Sequence, residues 1–509
     1  MRKDTLFVAT MGYLLLPNFI FALGWLKAVW ALPVAAVIVA CVADLGKRSL
    51  TGTPALSAGK WAVLLTLAGF WAIAFGLGGL NAQSEDYLKH NLVFHDLTVE
   101  RWPVVYGEPG PDARMLCYYI AYYLPSGLLG KVAGLQHVAA FSLAWGLLGI
   151  ALAFAWVSRF GRRHGLVVLG VFTLVDSFCW LPGLYPLAQK LGLLAGAANG
   201  EWWHTNSFVE HFWSFAGTQT RLLFQSAPAV LVWSPQHALG AWLAAACVLR
   251  SLLEASPARH VVLANAAVLL WSPLVGIGLV PFTAWACVRD GWGSASWSNV
   301  VGGAALAFPA CVYLLGHDPQ QFSGVLIATF SGGLDWLRYV LFLILAIGVL
   351  WASAWNLRRR LRVPSTALWR LLCLAGLTLT ATTFVYLGKY NDWVTRVSLP
   401  ALFVFALVLS VTAVELWSRG ARPAYRVAFA VILVASAERS LKVYALAPFG
   451  KLDGQGIGTT IVTARRYADD LTKLPGTPDF NVASQYLGNP DGFFGRYLMK
   501  SPHGPSEIR

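Results

Sequence analysis

The chain is dominated by apolar runs of about 17 to 25 residues, each long enough to cross a hydrocarbon core of about 30 Å. The runs are continuous and do not alternate apolar with polar, which predicts helices and not a barrel. Spans are expected near 5–25, 28–44, 61–80, 138–157, 165–185, 226–250, 298–316, 336–355, 366–388, 397–416 and 424–445. The stretch 260–288 is too long for one comfortable crossing and carries "WSP" (271–273) at its middle, so a short hairpin is expected there. About thirteen spans result. The fold class expected is all-α: a polytopic helical membrane domain over 1–446, followed by a small polar extracytoplasmic tail over 447–509.

Cations orient this thread. Arg2, Lys3, Lys47, Arg48 and Lys60 share a side with "SRFGRRHG" (158–165), "NLRRRLRVP" (356–364) and "SRGARPAYR" (418–426), and that side reads as cytoplasmic. The N-terminus is then inside and the C-terminus outside. One stretch, "MLCYYIAYYLPSGLLGKVAGL" (115–135), fits only as an interfacial helix. As a span it would carry Arg159, Arg162 and Arg163 to the wrong side, and its four Tyr and Pro125 suit the membrane surface. Two large outer loops follow from this thread, at 81–137 and 186–225.

Composition narrows the class. The 509 residues are 57% hydrophobic and 12% charged, with a mean hydropathy of +0.59, which excludes an ordinary soluble core. A net charge of +14 would suggest nucleic acid, but the basic residues cluster between apolar runs, where they act as anchors. No nucleic-acid partner is expected. Most of the seven Cys lie in apolar segments and none forms a CxxC pair, so they provide neither a disulfide framework nor a zinc site. The start, "MRKDTLFVATMGYLLLPNFIFAL", lacks a small-residue cleavage pattern and reads as a retained first helix in the inner (plasma) membrane. No internal repeat is visible, which weakens a transporter of duplicated halves.

The polar residues that remain collect on the outer side. "NAQSEDYLKHNLVFHDLTVERW" (81–102) sets Glu85, Asp86, Lys89, His90, His95 and Asp96 directly after an apolar run. "GEWWHTNSFVEHFW" (200–213) adds Glu201, His204, Glu210 and His211. "WSPQHALG" (233–240) supplies Gln236 and His237, and "LGKYNDWVTRVSLPALF" (387–403) supplies Lys389, Asn391, Asp392 and Arg396. Ionisable groups at membrane depth are costly and usually line a cavity or pathway. Four segments converging on one face point to a site. Each residue also has a plainer reading: Glu85 and Asp86 as a helix end at the headgroups, His237 as a satisfied structural side chain, Lys389 and Arg396 as interfacial cations, and Trp202, Trp203 and Trp213, which would suit sugar stacking, as membrane anchors. The seven-residue spacing of His204 and His211 does not by itself make a metal site.

An outer loop that follows an early span and opens with an acid, an aromatic and then "xKH" resembles the first extracytoplasmic loop of the GT-C superfamily of multi-span glycosyltransferases. The similarity continues through "WPVVYGEP" (102–109), the 115–135 segment and the "RFGRRHG" inner loop, over roughly residues 60 to 165. Elsewhere it is a likeness of architecture. The chain departs from the simplest pattern in its two extra early spans and its small tail. The resemblance implies sugar transfer from a polyprenyl-phosphate donor to a lipid or glycan acceptor, with Asp86 as the loop carboxylate acting as base or assisting a metal, and Glu85 second. A divalent metal, Mg or Mn, is left open as a cofactor. Arg396 and Lys389 suit the donor phosphate. His90, Lys89, Asp96, His237, Gln236, Asn391, Asp392, Glu201 and His204 are candidates for the substrate. A polysaccharide polymerase or ligase on the same face, or a lipid or polysaccharide transporter, are the competing readings; a transporter would need charge spread through the membrane depth, and Asp176 is one of few such residues.

Overall fold

A computed structural model describes residues 2–51, 54–184, 203–205, 211–215, 221–254, 256–317, 323–361, 366–388, 391–418, 420–450, 461, 470–474 and 482–501. Five of its helices are long and apolar enough to cross a membrane: Thr5–Trp25, Ala28–Arg48, Leu135–Phe160, Gly333–Arg359 and Leu399–Ser418. Four shorter apolar helices stand beside them, Ala58–Ala74, Ser298–Leu314, Thr366–Thr382 and Pro423–Ser436. Strands are two to four residues long and confined to the connections. The protein is a helical membrane protein.

The expected hairpin at 260–288 is present as helices Val261–Val268 and Pro273–Asp290, broken at the "WSP" motif. Pro273 opens the second helix, where its missing N–H costs nothing, and the Ser272 hydroxyl accepts from Val275 N. Both ends of the hairpin lie on one side: Ala258 N donates to Asp290, and Arg289 donates to Ser251 and Ser256. Its tip is held from the other direction, by Ala121 N on the Leu270 carbonyl and by Asn18 on the Ala267 carbonyl.

The span expected at 165–185 is a departure. Its helix stops at Phe172 after eight residues, and turns lead to a short 3-10 turn at Leu181–Gly183. Asp176 therefore does not sit in the middle of a helix. It forms a buried ion pair with Arg439, which also donates to the Phe224 carbonyl. The helix expected at 226–250 breaks at Ser234 into Ala227–Trp233 and Pro235–Glu254, because Pro235 has no N–H for the preceding turn.

The helix ends sort onto two faces. On one, Asp4 receives Arg159 at 2.6 and 3.0 Å and Arg250 at 2.6 Å, while Arg159 also holds Glu254. Asp44 bonds His260 and Ser298 on that same face. The sequence groups Arg2, Arg48 and Arg159 on one side, and the pairing of Arg2 with Thr51, of Arg48 with Asp44 and of Arg159 with Asp4 agrees with that grouping. On the opposite face the polar connections gather, and the last described segment folds back into them. Leu487 and Gly488 pair with Leu116 and Met115, and Lys27 N donates to the Leu498 carbonyl. The C-terminal stretch is thus stitched into the membrane domain.

Candidate functional site

The Ala58–Ala74 helix ends in a run of left-handed glycines, Gly76, Gly78 and Gly79, conformations that only glycine adopts without strain. The turn is then pinned: Asn81 donates to the Ala74 and Ala447 carbonyls, Gln83 to the Gly76 carbonyl, and Ser84 to the Val232 carbonyl. These bonds bring Asp86 to the N-terminus of helix Tyr87–Val99, where the helix dipole favours a negative charge.

Asp86 pairs with Lys89 one turn on, at 2.8 Å, and keeps 34% of its side-chain surface exposed against 11% for Lys89. Burial works against its ionisation, but Lys89 and Arg396 prevail and hold the carboxyl below the usual carboxylate range. Burial likewise opposes the Lys89 charge, and Asp86, with Tyr486 and Tyr118 nearby, raises it instead. Both groups are charged at neutral pH. Among the described residues the second Asp86 oxygen has no protein partner.

Helix Asp392–Val397 brings the second cation. Asn391 takes a left-handed conformation, and its side-chain oxygen caps the helix by accepting from Val394 N. Asp392 holds Arg396 at 2.9 Å, and Arg396 reaches the Tyr119 hydroxyl at 3.4 Å. The helix can sit this close because Gly278 faces it: a Cβ there would lie 1.9 Å from the Val397 carbonyl oxygen. Burial opposes the Arg396 charge, but Asp392 keeps its pKa raised.

Between the two cations lies a cluster of tyrosines. Tyr118 meets Tyr486 edge-on at 4.8 Å between ring centroids, Lys89 lies 5.9 Å over the Tyr486 ring, and Arg396 lies 5.5 Å over Tyr119. Gln236 donates to the Tyr118 hydroxyl at 3.3 Å. His237 stands edge-on to Tyr119 and is fully buried, yet among the described residues neither ring nitrogen has a partner. The Gln236 side-chain oxygen and the Asn391 side-chain nitrogen are likewise buried and unpartnered among the described residues. Buried polar atoms are nearly always satisfied, so four unpartnered atoms on three residues of this cluster mark a place for polar atoms that the described residues do not supply.

The structure thus brings Asp86, Lys89, Gln236, His237, Asn391, Asp392 and Arg396 together, from three distant segments. Other expected residues have different places. His90 was a candidate for sugar hydroxyls, but both its nitrogens are used: Nε2–H donates to the Trp233 carbonyl, so Nδ1 accepts from the Tyr123 hydroxyl. The structure does not bring Asp96 into this cluster. Its ten residues of separation from Asp86 are helical, about 15 Å along the axis, and its oxygens are taken by His95 at 2.9 Å and Tyr106 at 2.8 Å. Glu85 is exposed beside the cluster. Lys389 and Glu201 lie outside the described residues. His204 is on strand Trp203–Thr205, paired with His211–Ser214. That sheet docks through His211 on Glu438 and Trp203 on the Cys179 carbonyl.

Two participants were not foreseen. The Tyr run at 118–123 reads as a membrane-surface marker in sequence, but the helix begins only at Leu124, and Tyr118, Tyr122 and Tyr123 are buried in the cluster. Tyr486 comes from the tail, fixed there by Cys117 N on its carbonyl and by His317 on the Gln485 carbonyl. No local signal distinguishes it in "ASQYLGNP".

Among the described residues no three His, Cys, Asp or Glu side chains gather as metal ligands, and the Asp86 carboxylate has Lys89 and Arg396 as its nearby charges.

The neutral His90 makes a pH-dependent contribution. Burial pushes its pKa down to about 3, from 6.5. Below pH 6.5 the unfolded chain gains a proton that the folded chain refuses, so stability falls as pH drops toward 3. The loss is at most about 1.4 kcal/mol per pH unit. Thermal unfolding of the wild type and His90→Gln across pH 7.5 to 4.5 is expected to show the wild-type advantage shrinking with acid; a constant difference would contradict the buried neutral imidazole.

Comparison of the chain with family models, curated proteins and solved structures returned no match.

Proposed function

We propose that this membrane protein is a glycosyltransferase of the GT-C type. It would move a sugar from a polyprenyl-phosphate donor to a lipid or glycan acceptor on the extracytoplasmic face of the plasma membrane, with the N-terminus in the cytoplasm and the C-terminus outside. The observation that carries this reading is the grouping of an ionised Asp86 with Arg396 and an unpartnered, buried His237 at one end of a helical membrane domain.

The chemistry divides among these groups. The free oxygen of Asp86 takes the proton of the acceptor hydroxyl as that oxygen bonds the anomeric carbon. The bond from the anomeric carbon to the donor phosphate oxygen breaks, and its electron pair leaves with the lipid phosphate. Arg396, oriented by Asp392, meets the charge growing on that phosphate, and Lys89 adds a second positive charge nearby. His237, Gln236 and Asn391 offer their unpartnered atoms to sugar hydroxyls. Each would gain the hydrogen bond it lacks in the free protein.

The test is transfer by purified protein in lipid vesicles, offered a panel of radiolabelled polyprenyl-phosphate sugars and an extract of membrane acceptors. Consumption of one donor with label appearing in an acceptor is expected. Product length separates a single transfer from a polymerase. Labelled lipid crossing the bilayer unconsumed would replace the proposal with a transporter, and no consumption of any donor would count against it.

A further inference from the structure

Away from the Asp86 cluster, an apolar groove of about 430 Å³ runs between helix Ala28–Arg48 and helix Ser298–Leu314. Its walls include Trp30, Val34, Val37, Val301, Ala305 and Phe308, and every lining residue is apolar. Trp30 and Phe308 pack against each other in its lining, with ring centroids 5.8 Å apart. Small side chains, Ala304 and Ala305, are part of its lining together with Pro33 and Val34. It extends from Leu26 to Val37, about 16 Å at 1.5 Å per residue. That is about half of a 30 Å hydrocarbon core, the depth of one leaflet.

One end is roofed. The tail segment Phe494–Leu498 is clamped across it, with Lys27 N on the Leu498 carbonyl, Lys500 N on the Trp25 carbonyl, and the Trp30 indole on the Tyr497 carbonyl at 3.1 Å. Cations gather at this rim. Lys27 and Lys500 direct their ammonium groups to the Arg496 and Leu23 carbonyls, and Arg496 is exposed. Among the described residues none of the three pairs with a carboxylate. Phe493 and Tyr497, both mostly exposed, flank them as interfacial aromatics do. The Ala28–Arg48 helix also starts here without a side-chain cap, so its first N–H groups add positive potential.

We propose that this groove binds an anionic glycerophospholipid of the surrounding leaflet, with one acyl chain in the groove and its phosphate at Lys27, Arg496 and Lys500. The roof argues for a lipid over a partner helix. A continuing helix would have to pass through Phe494–Leu498, whereas a lipid ends there in its headgroup. The charge argues for an anionic headgroup: three cations without acid partners at headgroup depth attract phosphate and repel a choline. The site lies on the same face as Asp86 and is independent of the reaction proposed there.

The test is reconstitution of the full chain into vesicles of equal parts phosphatidylglycerol and phosphatidylcholine, gentle extraction in detergent, and native mass spectrometry of the lipid retained. The expected result is one retained phosphatidylglycerol per chain, enriched at least about 10-fold over phosphatidylcholine, equivalent to about 1.4 kcal/mol. Ala305→Trp fills the groove and is expected to remove the retained lipid. Lys27→Gln with Lys500→Gln is expected to keep a lipid and bring the preference below about 2-fold, the loss of nearby cations each contributing on the order of 1 kcal/mol. Retention without headgroup preference in the wild type would overturn the proposal. So would equal retention by Ala305→Trp in a folded protein, or a lipid-free dimer, which would make the groove a contact between copies of the chain.

Discussion

Asp86→Asn is expected to lower sugar transfer roughly 100- to 10,000-fold, the range for removing a positioned general base. Asparagine keeps the shape and the hydrogen-bonding reach of the side chain but cannot take a proton from the acceptor hydroxyl. The substitution has a second effect that must be separated from the first. Lys89 is nearly enclosed and Asp86 holds its pKa up, so the single variant strands a buried ammonium. The double variant Asp86→Asn, Lys89→Gln removes both charges and is expected to recover thermal stability without recovering transfer. Donor consumption is the readout, with the unfolding midpoint as its control. Activity within about 3-fold of wild type in the folded double variant, far inside the range expected for a lost base, would dismiss Asp86 as the base.

Asp4→Ala is expected to be the most destabilising change at the opposite face. Asp4 is 1% exposed and takes three charged hydrogen bonds, two from Arg159 and one from Arg250, both also buried. Arg159 retains Glu254, but Arg250 loses its only carboxylate among the described residues and keeps the Leu50 carbonyl. Breaking a buried pair by removing one partner costs about 3–5 kcal/mol, because the remaining charge stays buried and uncompensated. Denaturant unfolding in detergent checks this, with Asp4→Asn as the comparison, expected to lose less because it keeps hydrogen-bond acceptors. The cluster joins the ends of three helices, Thr5–Trp25, Val138–Phe160 and Pro235–Glu254, so a loss near zero would mean that packing alone registers them.

The parts of the fold legible in sequence were those governed by hydrophobic length. The first two helices, the helix after His137, the "WSP" hairpin and the helix after Ser398 stand where the apolar runs end, since leaving backbone groups unbonded in hydrocarbon is prohibitive. The 165–185 run failed as a span because apolar residues tolerate any buried backbone whose polar groups find partners. There the Asp176–Arg439 pair, with a partner more than two hundred residues away, holds the irregular segment. His90 and Asp96 show the same limit at the site. A polar side chain in an outer loop looks alike in sequence whether its atoms face a substrate or are spent on Tyr123, Trp233, His95 and Tyr106.

The sequence by itself determined that this is a helical membrane protein, and it pointed to one face, through the segments around Asp86, His237 and Arg396, as the place where polar chemistry collects. Those conclusions rest on transfer free energies, which depend on composition and length along the chain. Only the tertiary structure decided which of the polar residues meet. It enclosed Tyr118 and Tyr119 between Lys89 and Arg396, brought Tyr486 to them from the far end of the chain, and left His237 with two unpartnered nitrogens. The reason is that hydrogen-bond satisfaction is a property of neighbours in space, and here those neighbours come from segments hundreds of residues apart.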